Sequence, residues 1–249
     1  MNREAKYRAF RSTLGRDLDQ FAEILVRNGV SNDPSPLHRA SALCQSCHGD
    51  FWGYTLAGLI LRGGRGVRCV PDIKEFACRL DVFVGGHCNL DEICHDPLSR
   101  HEVQIEIKTA GELENSFMQS WHFDRHQDDT DATPPQAAHP RYHFTFGGRA
   151  LQNHLNTCRR PHFDRVLLMD APRLPHPPFD GILATDFLLS NFAALHWRKL
   201  RNIPEYQRIV AQAQRRLWRP YARALYEHWW GDTHSKSVWP TSQIWPHTY

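Results

Sequence analysis

The chain has 249 residues, 41% of them hydrophobic and 23% charged, with a net charge of +3, ordinary values for one large globular domain. A chain of this length buries a full core without disulfide or metal staples. No apolar run approaches the roughly 18 residues of a membrane span. The opening MNREAKYRAF lacks the apolar stretch of a secretory signal, and the seven cysteines then read as reduced thiols, so the expectation is a cytoplasmic protein with no membrane partner.

Residues 4–29 have helical periodicity, with Tyr7, Phe10, Leu14, Leu18, Phe21, Leu25 and Asn28 on one stripe and Gly29 as a C-cap. Asn32–Pro36 reads as a turn, and Pro36 opens a second predicted helix over 37–62, ended by Gly63, Gly64 and Gly66. Strand-like segments follow. Phe76–Val84 alternates roughly, and Gly85–Gly86 turns the chain. Glu102–Lys108 points Val103, Ile105 and Ile107 inward and Glu102, Gln104, Glu106 and Lys108 outward. Ser116–Phe123 is a third strand, Arg141–Phe146 a fourth closed by Gly147–Gly148, and Val166–Met169 a short fifth. Gln127–Ala138 is a polar loop with Asp124, Asp128, Asp129 and Asp131 nearby. In the last third, Phe179–Phe192 is apolar nearly all round and predicts a core helix. Glu205–Trp230 predicts another, with Pro220 as a kink or break. Trp239, Ile244 and Trp245 are costly to expose and predict an ordered tail.

Consecutive strands joined by loops favour an antiparallel meander. The expected fold is α+β, an antiparallel β-meander of four to five strands packed against helices, with a helical C-terminal extension. The expected division is 1–62 for the N-terminal helices, 63–195 for the core and 196–249 for the extension and Trp-rich tail, forming one compact domain.

Sixteen histidines and eight tryptophans are the unusual part of the composition. The densest polar cluster is Trp121-His122-Phe123-Asp124-Arg125-His126, followed by His139-Pro140-Arg141-Tyr142-His143. In an extended chain His122, Asp124 and His126 share a face, and His143 meets them across a hairpin. Imidazoles with a carboxylate suit zinc, manganese or iron. Without metal, the same groups suit general acid–base work. Hydrogen-bonded or half-exposed sheet histidines are the plainer alternative.

His122-x-Asp124 also matches the facial triad of iron oxygenases, for which His196 would be the distal ligand and Arg198 or Arg201 the cosubstrate anchor. Glu106-Ile107-Lys108, with Asp81 on a neighbouring strand, matches the way restriction-type nucleases hold Mg²⁺. There Asp81 and Glu106 are oxygen ligands and Lys108 steadies hydroxide or phosphate. Such a string also arises by chance on any amphipathic strand. Cys44-Gln45-Ser46-Cys47-His48 spells a haem-attachment string that needs an exported chain, so buried free cysteines are the simpler reading. Arg141, with the cluster Arg159, Arg160 and Arg165, supplies candidate substrate-binding cations. Arginines and Trp197, Trp218, Trp229 and Trp230 load the C-terminal third, which suits a protein interface or stacking on a single strand.

Four strings carry a resemblance. They are Phe123-Asp124, His139-Pro140-x-x-His143-Phe-Thr-Phe-Gly147, Pro172-Arg173-Leu174-Pro175 and Phe187-Leu-Leu-x-Asn191-Phe192. Together, over about residues 115–195, they resemble an uncharacterised bacterial domain family with an F-D, an H-P-x-x-H-x-x-x-G strand, an R-hydrophobic-P and a helix ending near N-F. More thinly, the aromatic-Asp followed by a His-x-His stretch is similar to TumE-like toxins of toxin–antitoxin pairs. The resemblance implies a site of Asp124, His139, His143 and Arg173 and a setting among mobile-element and defence genes. It does not extend to His122, His126, Glu106 or Lys108.

The expected function is a nucleic-acid-directed hydrolase or toxin-like effector. His143 or His122 would be the base, and Asp124 would orient it or bind a divalent metal (Mg, Mn or Zn). Arg173, rigid between Pro172 and Pro175, would stabilise the phosphorane. The rival is a non-catalytic subunit of a multiprotein antiviral defence complex, docked through the C-terminal aromatics. A catalytic cluster lines an open cleft; a structural network is buried.

Overall fold

The apolar stripe of the first 29 residues folds as α1 (Arg3–Arg27), which buries Leu14, Leu18, Phe21 and Leu25. Asn2 caps its start by accepting from Glu4 N–H, and Gly29 leaves it in the left-handed region at φ 68°. The computed structural model describes residues 2–64, 75–88, 95–109, 117–125, 139–157, 173–231, 239 and 241–245. α2 (Ser35–Ser46) packs on α1 and is shorter than the spacing predicts.

The back half of that expected second helix is instead β1 (Phe51–Gly63). Trp52, Tyr54 and Leu56 bury alternate positions, then a bulge shifts the register, and Leu59 and Leu61 continue the buried face. The three-residue step from Leu56 to Leu59 imitates helical spacing, which is why the run reads as a helix. Gly58 sits in the bulge at φ 71°, and its N–H donates to Asp81 Oδ1 at 2.6 Å.

β2 (Phe76–His87) pairs with β1 and runs through Gly85 and Gly86, which therefore do not turn the chain. They permit close approach instead: a Cβ on Gly86 would lie 2.2 Å from Pro97 O. Backbone cannot yield as a side-chain end does. Gly86→Ala is expected to lower stability by about 1–3 kcal/mol through overpacking. An unchanged urea midpoint would contradict that packing.

β3 (Arg100–Thr109), β4 (Met118–Arg125), β5 (Tyr142–Phe146) and β6 (Leu174–Pro175) complete a six-stranded antiparallel sheet in the order β1-β2-β3-β4-β5-β6. The meander is thus longer than the expected four to five strands, by the bulged β1 and the two-residue β6. The Gln127–Ala138 loop and the Val166–Met169 strand lie outside the described residues. α3 (Gly148–Thr157) follows β5.

One face of the sheet carries Leu80, Val82, Val103, Ile105 and Phe123, all buried in a core shared with α1 and the C-terminal helices. α4 (Gly181–Phe192) is a core helix, as its all-round apolarity predicts. α5 (Ala194–Leu200) leads into α6 (Pro204–Trp230), which continues through Pro220 without a break. Trp239, packed on Tyr142 and Tyr221, and Ile244 of α7 (Thr241–Ile244) are buried. Among the described residues no helix is long and apolar enough to cross a membrane.

A charge network built on two buried carboxylates, Asp17 and Asp180, ties the helices together. Asp180, fully buried, caps α4 by accepting from Leu183 N–H at 2.9 Å and accepts from Arg216 Nη2 of α6 at 3.0 Å. Arg216 Nη1 lies 3.6 Å from Asp17 Oδ2 of α1, an ion pair beyond hydrogen-bond length. Asp17 Oδ1 accepts from Arg208 Nη1 at 2.8 Å. Tyr54 of β1 joins by accepting from Gly181 N–H at 2.8 Å, and burial and the Asp180 charge push its phenol up.

Candidate functional site

Since Val103, Ile105 and Phe123 face the core, the residues between them face the other way. Register aligns Glu102 with Asp124 and Asp124 with His143, on β3, β4 and β5. The next row holds Gln104, His122 and Thr145. Gly147 and Gly148, at φ 93° and 68°, swing the chain from β5 into α3. The turn is fixed by Gly147 N–H donating to Ser120 O at 2.8 Å and by the Ser120 hydroxyl donating back to Gly147 O. A Cβ on Gly148 would stand 3.8 Å from His122 Cβ, so α3 begins against the open face of the sheet.

Sheet and helix bound a cleft of about 820 Å³. His122, Asp124, His143, Glu102 and Gln104 line it with Arg149 of α3 and Arg173, just before β6. Phe146, Leu151 and Leu155 add apolar lining. The His122 and Asp124 side chains are 25% and 32% exposed.

His122 is held at both ring nitrogens, Nε2 in close contact with Asp124 Oδ2 and Nδ1 at 3.0 Å from Gln104 Oε1. His143 differs. Its Nδ1 lies 3.1 Å from Pro140 O, which accepts only, so Nδ1 carries the proton and Nε2 the lone pair of the neutral ring. Burial holds its pKa below the ordinary histidine value; the Pro140 bond and Asp124 oppose this, and Arg173 and His122 add to it. His143 is thus a neutral base at neutral pH, with its orientation fixed by a backbone carbonyl. The ring of His139 meets it edge-on at 4.8 Å.

His101, on the core face of β3, has a structural part. Its Nε2 accepts from Phe179 N–H at 3.1 Å, and burial lowers its pKa to about 3. The unfolded chain, with an ordinary value, binds more protons below pH 6.5 than the folded one, so stability falls as pH falls from 6.5 toward 3. From pH 6.5 to 4.5 His101 alone is expected to remove about 2 kcal/mol. His101→Gln should flatten the urea-midpoint profile across that range; an equally steep profile would contradict this.

Several other predicted site residues lie elsewhere. Asp81 accepts from Gly58 N–H and, at 2.8 Å, from Arg79 Nε, while Glu106 Oε2 is 2.8 Å from Lys108 Nζ. Asp81 stands opposite Gln104 and Glu106 opposite Arg79, so they occupy successive rows, each with its own cation. Arg141 is 5% exposed, 3.9 Å from Asp96, on which Arg125 also closes at 3.1 Å, and it does not line the cleft. His196 is on α5 under the influence of Lys199 and of Arg62 on β1, three strands from β4, so it does not join His122 and Asp124 in a facial triad. His126, Arg159, Arg160 and Arg165 lie outside the described residues. Among the described residues no three His, Cys, Asp or Glu side chains are grouped as a metal ion requires. Cys44 and Cys78 are free and buried, and burial pushes both thiols up to about 12.

Glu102, Gln104 and Arg149 are cleft residues that motif reading misses. The alternation of β3 already turns Glu102 and Gln104 outward; only register brings them beside Asp124 and His122. No protein-family model, curated protein or solved structure matches the chain.

Proposed function

We propose that the cleft is the acid–base site of a nucleic-acid-directed hydrolase, a toxin-like effector of a bacterial defence or toxin–antitoxin system working in the cytoplasm. One observation carries the reading: Asp124, His122 and Arg173 line an open cleft together with His143, itself 5% exposed, whereas the charges that tie the helices together are the separate set of Asp17 and Asp180, both buried, with Arg216. His143 is the base. Asp124 orients His122, and Arg173 and Arg149 hold the phosphate and stabilise the phosphorane. Glu102 and Asp124, paired across β3 and β4, are oxygen donors of the kind Mg²⁺ or Mn²⁺ takes, so the test includes both ions.

The test incubates the protein with end-labelled single- and double-stranded DNA and RNA in EDTA, Mg²⁺ or Mn²⁺, beside Arg173→Met. The reading expects cleavage by the wild type and a loss of about 10²–10³-fold in the variant at unchanged melting temperature. Intact substrate in every condition would refute it.

A second reading is a non-catalytic subunit of an antiviral defence complex, and it draws on the end of α6. Trp230 is 70% exposed and stacks on Tyr226, and Trp229 meets Trp245 edge-on. Exposed aromatics of this size favour a protein partner there.

A further inference from the structure

We infer that the substrate is RNA and that the attacking nucleophile is its own 2′-hydroxyl, an inference that rests on the acid–base reading of the cleft. Displacement at phosphorus needs a base where the nucleophile enters and an acid where the leaving oxygen departs, on opposite sides of the phosphate. The cleft offers two imidazoles. His143 faces Asp124 directly, and His122 faces Thr145, so the two histidines are diagonal neighbours on β4 and β5. Such diagonal positions stand about 7–8 Å apart, far enough to flank one phosphodiester.

Their hydrogen bonds assign the roles. His143, with Nδ1 donating to Pro140 O, offers the Nε2 lone pair. His122 has Asp124 against Nε2 and offers Nδ1, which now faces the Gln104 amide oxygen at the cleft wall. The leaving oxygen replaces Gln104 there. The step balances without water. The 2′-hydroxyl proton passes to His143 Nε2, and the 2′-O–P bond forms. The P–O5′ bond breaks, and O5′ takes the proton from His122 Nδ1. The products are a 2′,3′-cyclic phosphate and a 5′-hydroxyl. A vicinal hydroxyl attacks at an effective molarity of about 10⁵–10⁸ M, which brings the reaction within reach of a neutral imidazole. Arg173 and Arg149, both lining the cleft, meet the phosphorane charge. A volume of about 820 Å³ is of the size that takes a nucleotide-sized ligand. His143 and His122 are then catalytic residues, and Asp124 and Gln104 are positioning residues.

The test uses a DNA oligonucleotide carrying a single ribonucleotide, its all-DNA counterpart and an all-RNA strand, each in EDTA, Mg²⁺ and Mn²⁺. Product ends are read before and after acid opening of a cyclic phosphate. The inference expects cleavage only on the 3′ side of the ribose, with a first product ending in 2′,3′-cyclic phosphate. It expects a loss of about 10³-fold or more when that ribose is made 2′-deoxy. A nucleoside 3′-(nitrophenyl phosphate), whose leaving group needs no proton, separates the roles. His122→Gln should slow RNA cleavage about 10²-fold or more and largely spare this ester, whereas His143→Gln should slow both. DNA cut at a comparable rate, or linear phosphate ends as first products, overturns the inference and leaves the hydrolase reading standing. No cleavage of any strand overturns both.

Discussion

Replacing Asp180 by alanine is expected to destabilise the protein by about 3–5 kcal/mol, because it leaves Arg216, only 12% exposed, without its nearest counter-ion. Two interactions are lost at one site. Asp180 is fully buried, accepts from Arg216 at 3.0 Å and caps α4 through Leu183 N–H. The cap alone is worth about 1 kcal/mol. Among the described residues Arg216 would keep Asp17 as its acidic neighbour, at 3.6 Å, and the Tyr54 hydroxyl beside Gly181 would lose its charged neighbour. Asp180→Asn retains an oxygen for the cap and removes the charge, so it should fall between wild type and alanine. Urea unfolding of the three proteins measures both differences. An alanine variant within about 1 kcal/mol of wild type would mean the charges are not coupled as the structure has them.

Replacing His143 by glutamine is expected to lower nucleic-acid cleavage by about 10²–10⁴-fold, the usual share of a general base. Glutamine can still donate to Pro140 O, so the fold of β5 should be retained and the melting temperature should move little. The pH dependence gives an independent reading. The base works when neutral, and burial holds its pKa below the ordinary value, so wild-type activity should persist as pH falls through 6.5 and drop only at lower pH. A limb at or above the ordinary histidine value would place the base elsewhere. A variant that cleaves like wild type would remove His143 from the chemistry.

Strands with one buried face were legible, because period-two alternation has a single cause there: β3 needed only Val103, Ile105 and Ile107. β1 was not, because the Gly58 bulge replaces one two-residue step with a three-residue one, and a local pattern cannot tell that from a helix. β6 is only two residues long and exists by pairing with β5, which no window of sequence contains. α3 opens on two glycines that local propensity counts against a helix, although their positive φ angles are what turn the chain over the sheet.

The site followed the same rule. Asp124 and His143, which the structure places in one cleft, were singled out because they lie close along the chain in a run dense with imidazoles. Asp81 and Glu106 were read as oxygen ligands from outward-facing charge, which is the same signal whether a residue binds metal or pairs with its neighbour. Only the register shows them one row apart and engaged with Arg79 and Lys108. Glu102, Gln104 and Arg149 reach the cleft through register and through α3, which are tertiary facts.

Cleavage and stability of Asp124→Asn, measured beside wild type in one preparation, test most directly whether the cleft is functional or architectural. Asp124 holds His122 at a cleft whose side chains reach solvent. The account predicts that wild type cleaves nucleic acid and that the variant loses about 10²-fold or more of that activity, with stability within about 1 kcal/mol of wild type. A wild type without activity, and a variant destabilised by about 3–5 kcal/mol like a broken buried pair, would contradict it and make the cluster part of the scaffold.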